Sequence, residues 1–176
     1  SNCTFAALDA PATSAGTGWN LLGNPYASPI FWGSDGWQKN NINTTAVIRD
    51  THHPGRLLYW DGTVGDEEFG GIIASGQSFW IRTTNASPVL TITENAKYDT
   101  INSPHFKKQP AKNYITLTLQ KETQHDRAYI RMTPEGSEAF DSGIDAIKLS
   151  NDHFNLSTLS SDQQALAINN TSASFC

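Results

Sequence analysis

The segment Gly18-Trp19-Asn20-Leu21-Leu22-Gly23-Asn24-Pro25-Tyr26-Ala27-Ser28-Pro29-Ile30 constrains the fold more than any other stretch of the chain. An apolar run breaks off in Gly-Asn-Pro and soon meets a second proline. Trp19, Leu21 and Leu22 suit a strand, and Gly23 admits a positive φ. Pro25 fixes its own φ and pushes Asn24 out of the α region. The pattern predicts a buried strand leaving a sheet through a stiff corner. It holds no nucleophile, base or metal-ligand set, so it argues for β architecture and against an obvious enzyme.

The rest of the chain repeats that grammar. Helical periodicity is weak everywhere, and the best helical candidate, Ser160 to Leu166, is short and polar. Strands are expected at Ile42–Asp50, Arg56–Trp60, Gly71–Ala74, Gln77–Thr84, Val89–Glu94, Tyr114–Gln120, Ala128–Thr133, Ala146–Leu149 and Leu166–Asn169. Asp61-Gly62 reads as a hairpin signal and Ser75-Gly76 as a tight turn. Close spacing of short strands bounded by Gly, Pro, Asn or Asp indicates an antiparallel sandwich or barrel. Only 16% of residues are charged, and Ser, Thr, Asn and Gly make up the balance, as suits strands joined by turns.

A chain of 176 residues fits one β-sandwich domain over 18–176, with 1–17 as an N-terminal tail or edge segment. A polar, basic run at Thr100–Lys112, flanked by Pro104 and Pro110, reads as a connecting loop near 100–112. The net charge of -5 leaves no field to hold a polyanion, and Lys107, Lys108 and Lys112 are too few to reverse that. No apolar run is long enough for a membrane span, and no signal peptide is recognisable. An opening Ser-Asn-Cys is expected of a processed or excised piece of something longer. Cys3 and Cys176 stand at the two ends. They form a disulfide candidate if the termini meet, and two free thiols otherwise.

Several motifs occur together in a fixed order. Gly18 to Tyr26 is followed by Tyr59-Trp60-Asp61-Gly62, then by Ile73-Ala74-Ser75-Gly76-Gln77-Ser78-Phe79-Trp80-Ile81. Leu90-Thr91-Ile92-Thr93, the run from Phe140 to Leu149, and Leu166-Ala167-Ile168-Asn169 complete the series. This order resembles a β-rich module found near the C-terminal end of large secreted and surface proteins of Bacteroidetes, commonly exported by the type IX secretion system. The resemblance implies an all-β segment of a secreted multidomain protein and implies no catalytic residues. Relatives usually continue past the Leu-Ala-Ile-Asn-like strand, so an unpaired edge near Leu166–Asn169 is expected.

The tryptophans are the most suggestive side chains, because sugar rings stack on flat aromatic faces. In Gln77–Thr84 the pleat puts Phe79 and Ile81 on one face, with Ser78, Trp80 and Arg82 on the other. If Phe79 and Ile81 face the core, Trp80 stands outside beside Arg82. Trp60 with Asp61 would sit at a loop rim, and Trp37 in a flexible Gly33–Trp37 loop. Trp19 inside its strand, like Phe79, is expected in the core, where removal costs about 3–5 kcal/mol. Acidic residues admit a calcium reading, at Asp141 and Asp145 around Ser142-Gly143 or in the cluster Asp61, Asp66, Glu67 and Glu68. The bland reading for Asp141 is turn formation. His52, His53, His105, His125 and His153 lack metal-binding spacing. Ser78 lacks a nucleophile elbow, and Glu67, Glu68 and Glu94 give no defined acid pair.

These readings converge on an all-β, antiparallel, jelly-roll-like sandwich with no catalytic residues and no cofactor beyond a structural calcium. Its expected role is a structural or adhesive module of a secreted or cell-surface protein, with neighbouring domains of the parent as partners. The alternative is a carbohydrate-binding module using Trp37, Trp60, Asp61, Trp80 and Arg82 on a polysaccharide.

Overall fold

A computed structural model describes residues 2–10, 18–98 and 113–172. The connecting loop expected near 100–112, His105 and Cys176 lie outside the described residues, so the Cys3–Cys176 pairing does too. The described chain is all-β, with one short 3-10 turn at Glu94–Ala96.

Its strands are β1 (Cys3–Phe5), β2 (Trp19–Gly23), β3 (Ile30–Phe31), β4 (Trp37–Asn40), β5 (Ile42–Arg49), β6 (Leu57–Trp60), β7 (Ile72–Ile73), β8 (Ser78–Thr83) and β9 (Val89–Ile92). They continue with β10 (Tyr114–Lys121), β11 (Gln124–Met132), β12 (Ala146–Ile147), β13 (Thr158–Leu159) and β14 (Ala165–Thr171). Four sheets result: β1-β9-β4, β2-β8-β5-β6, the short pair β3-β7, and β10-β11-β14-β12 with β13 also on β14. The ladders are antiparallel except for β11 on β14, which run parallel with Tyr129 opposite Ile168.

The sheet β2-β8-β5-β6 lies in the middle of a three-layer stack, because alternate residues of its strands enter two different cores. Ala46, Ile48, Leu58, Phe79 and Ile81 join Ile30, Trp32, Trp37, Leu90 and Ile92 in a first core, towards the β1-β9-β4 sheet. Val47, Leu57 and Tyr59 point the opposite way and meet Tyr129, Ala146, Ala167 and Ile168 of the β10–β14 sheet in a second. The layers are those of an antiparallel β-sandwich with a third sheet added. The strand orders do not establish jelly-roll winding.

The proline corner forms, by a different route from the one expected. Gly23 is extended, since it is not among the residues of positive φ. The turn is instead held by Asn24, whose side-chain NH2 donates to the carbonyls of Ser28 (2.9 Å), Ile73 (3.2 Å) and Ala74 (3.0 Å). Its Oδ1 accepts the Tyr26 N–H at 3.0 Å. One buried amide thus clamps the corner to the Ser75-Gly76 turn. The preceding strand is not buried: β2 is an edge strand on β8 alone, and Leu21 is 56% exposed.

Three further expectations are corrected. Leu166–Asn169 is not an unpaired edge, because β14 is flanked by β11 on one side and by β12 and β13 on the other. The Ser160–Leu166 segment is not helical. Ser160 Oγ accepts the Gln164 N–H, Gln163 takes a left-handed φ of 64°, and the chain turns into β14. The Gly33–Trp37 loop ends in a strand, with Trp37 opening β4 opposite Ile92.

Candidate functional site

The five residues expected to form an aromatic platform do not come together. Trp37 is 8% exposed, donates its indole N–H to the Phe31 carbonyl at 2.8 Å, and packs edge-on to Trp32 in the first core. Trp60 leans on that core as well. Trp80 points the opposite way, against the second core. Arg82 is not outside beside it, being 6% exposed and stacked 5.6 Å from the Phe140 ring. Three layers make both faces of β8 interior, which the two-layer expectation missed. Asp61 is a turn former. Its Oδ1 accepts the N–H groups of Thr63 (2.7 Å) and Val64 (2.6 Å), and burial pushes its carboxyl above the usual range.

Asp141 and Asp145 are likewise engaged by the backbone. Asp141 Oδ1 accepts the Gly143 N–H at 2.7 Å. Asp145 accepts the N–H groups of Asp141 (2.8 Å) and Asn170 (2.7 Å). Among the described residues no group of three or more His, Cys, Asp or Glu is arranged to hold a metal ion.

The charged residues that do converge lie between the middle and outer layers. Strand alternation puts His125, Arg127, Tyr129 and Arg131 on one face of β11, and this row meets the acidic loop that follows β6. Arg131 lies 3.6 Å from Asp61, and Arg127 Nη1 donates to Glu68 at 2.8 and 2.7 Å and to Asp66 at 3.4 Å. The Tyr129 hydroxyl donates to Asp66 at 3.0 Å. Asp66 is the knot: 2% exposed, it also accepts Arg56 Nη2 at 2.6 Å and the Tyr59 N–H at 2.9 Å. Burial still pushes its carboxyl above the usual range, against the pull of those donors. Arg56 continues to Asp50 at 3.3 Å, and Asp50 accepts His53 Nδ1 at 3.0 Å. The acidic loop was visible in the sequence as a calcium candidate, but its partners are arginines. The signal that would have found them is the i, i+2 spacing of His125, Arg127, Tyr129 and Arg131.

The loop is aimed by Gly65. Its φ of +147°, and a would-be Cβ only 2.1 Å from the Tyr59 carbonyl oxygen, exclude a side chain there. Beyond the knot the seam opens into a cleft of about 550 Å³, lined by Glu67, Glu68, Tyr114, Thr116, Arg127 and Tyr129. Tyr114 and Tyr129 meet edge to face at 6.2 Å along one wall.

A second tie, on the far face of β11, joins Lys148 to Asp126 at 2.7 Å, and both side chains are under 5% exposed. Asp126 also accepts the Leu156 N–H at 2.6 Å. The Tyr59 hydroxyl bridges the layers by accepting the Leu149 N–H at 2.8 Å. Comparison with protein-family models, curated proteins and solved structures finds no match to this chain.

Proposed function

We propose that this chain is a non-catalytic structural or adhesive module of a secreted, cell-surface multidomain protein, of the kind its motif order resembles. The observation that supports this best is the seam itself. The buried carboxylates of the seam, Asp50 and Asp66, are met by Arg56, His53, Tyr129 and the Tyr59 N–H, and they tie the middle layer to the outer one, while Nε of Arg56 and of Arg131 stays buried without a partner among the described residues. A segment whose polar interior ties sheets together suits a mechanical or display role beside other domains.

The test is made on the parent protein in its host. Surface labelling of intact cells should reach this segment, and deleting it should lower attachment or retention at the surface while any neighbouring catalytic domain keeps its turnover. A segment that labels only after lysis, or attachment unchanged by the deletion, would remove the proposal.

A further inference from the structure

We propose that the cleft between the acidic loop and the overhanging β10 strand is a binding site for a neutral saccharide, independent of the tryptophans and of the module's location. Its volume of about 550 Å³ falls within the roughly 300–1,000 Å³ typical of ligand sites and would take a short run of sugar rings. Two features give it the chemistry of polyol recognition.

The first is a paired donor and acceptor set rigidly at the rim. Arg127 Nη1 donates to Glu68 and Asp66, and the guanidinium also meets the Tyr129 hydroxyl. Held in this way, the guanidinium keeps a fixed plane beside the Glu68 carboxylate. A sugar hydroxyl is both donor and acceptor, so neighbouring hydroxyls can accept from Arg127 and donate to Glu68 at once. The guanidinium is held by buried Asp66, so little side-chain entropy is lost on binding.

The second is a flank beside that rim. Half-buried Tyr114 lies along the wall, packed edge to face on the buried Tyr129 ring, and Thr116 is exposed beside it. The Tyr114 ring can cover the C–H face of a pyranose while its equatorial hydroxyls point to the rim. Charge selects against the other ligand classes. Glu67 and Glu68 repel an anion, while Arg127, with Arg56 behind it, opposes a cation. A neutral, hydroxyl-rich ligand meets neither penalty.

Affinity electrophoresis of the whole chain through gels of xyloglucan, galactomannan and mixed-linkage glucan tests this. At least one neutral polysaccharide should retard the parent protein. Thr116→Trp, which fills the cleft from an exposed position, should abolish the retardation, and Glu68→Gln should weaken binding at least ten-fold. Leu159→Ser, on a distant strand, should leave binding unchanged, and melting curves will show that each variant is folded. Migration unaffected by every neutral gel overturns the proposal. Retardation that survives both Thr116→Trp and Glu68→Gln overturns it as well, since the sugar then binds elsewhere. Retention only by polygalacturonate or by chitosan overturns the choice of a neutral ligand.

Discussion

Asn24 does the work for which the Gly-Asn-Pro corner is built. Three donated bonds and one accepted bond run from its 6% exposed side chain to four backbone groups. Alanine would leave those groups without partners where water cannot easily reach them, at a cost of about 2–4 kcal/mol. Chemical denaturation should show that loss, and a midpoint within error of the parent would mean that the corner holds by its prolines alone. Phe79 makes the matching case for packing. It is fully buried, with Phe5, Trp32 and Trp37 rings at 6.4, 6.1 and 6.2 Å. Phe79→Ala should cost about 3–5 kcal/mol. A variant that melts like the parent would show the ring cluster collapsing into the space. The two residues differ in how plainly they could be read. Phe79 announces itself by alternation with Ile81, whereas Asn24 looks like a turn residue and reveals its reach only when Ile73 and Ala74 are brought beside it.

Length alone did not decide which strands could be read from the sequence. β2, β5, β6, β8, β9, β10 and β14 fall where alternating or apolar runs predict them, and so do the two-residue β7 and β12, while β11 starts four residues before the expected Ala128–Thr133 and β4 follows what reads as a loop. β1, β3 and β13 are two or three residues long and draw their conformation from partners, Leu90 for Phe5 and Ile73 for Ile30 among them. Asp61-Gly62 does turn the chain, but it makes no hairpin of two strands. After one bridge at Gly65 the chain leaves for β7, which pairs with β3. What a single strand could not disclose was the third layer. In β5 the sequence separates Val47 from Ala46 and Ile48 correctly, but not that both sets would be buried. The site was hidden for the same reason: Arg127 and Tyr129 have meaning only opposite Asp66, sixty-odd residues earlier. β10 poses a problem of its own at this scale. Among the described residues it pairs only with β11, and Ile115, Leu117 and Leu119 on one face are 46%, 37% and 43% exposed. Such an edge invites strand addition. Replacing Leu117 and Leu119 with lysine should shift stability by no more than about 0.5 kcal/mol per site, and light scattering should show less self-association at high concentration. A large loss of stability would mean that these side chains are covered in the folded protein.

At the scale of the whole molecule the question is what couples the outer β10–β14 sheet to the rest. The second core supplies apolar contact, and Asp66 supplies the polar register. Asp66→Ala would leave buried Arg56 with Asp50 alone and take the acceptor from the Tyr59 N–H and the Tyr129 hydroxyl, and should cost about 3–5 kcal/mol, with near-UV circular dichroism reporting loosened packing of Tyr59 and Tyr129. The same seam carries a dependence on acidity. His125 sits with its ring 5.2 Å from that of His53, and its Nε2 is 3.9 Å from Glu68. Burial, followed by the charges of Arg56, Arg127 and His53, lowers its pKa below the ordinary 6.5, and Glu68 only partly opposes them. A histidine whose folded pKa is lowered is neutral in both states above 6.5. As the pH falls through 6.5 the unfolded chain takes up its proton first, so this contribution to stability declines from there downward. Asp50 and Glu68 act in the same direction lower still. Burial works against ionising both, but the N–H groups of His52 and His53 on Asp50, and Arg127 on Glu68, hold their carboxyls below the usual range. Their contributions are lost as the pH drops through those lowered values. Melting temperatures of the parent should therefore begin to fall between pH 7 and 5.5, above the usual carboxylate range, with the raised carboxyls of Asp61, Asp66 and Asp145 working the other way as they protonate. His125→Gln, which keeps a polar side chain of similar reach but cannot take up a proton there, should show no fall in melting temperature across that window and decline only below it. An equal decline in parent and variant would assign the acid sensitivity to another group and leave His125 as a packing residue at the mouth of the seam.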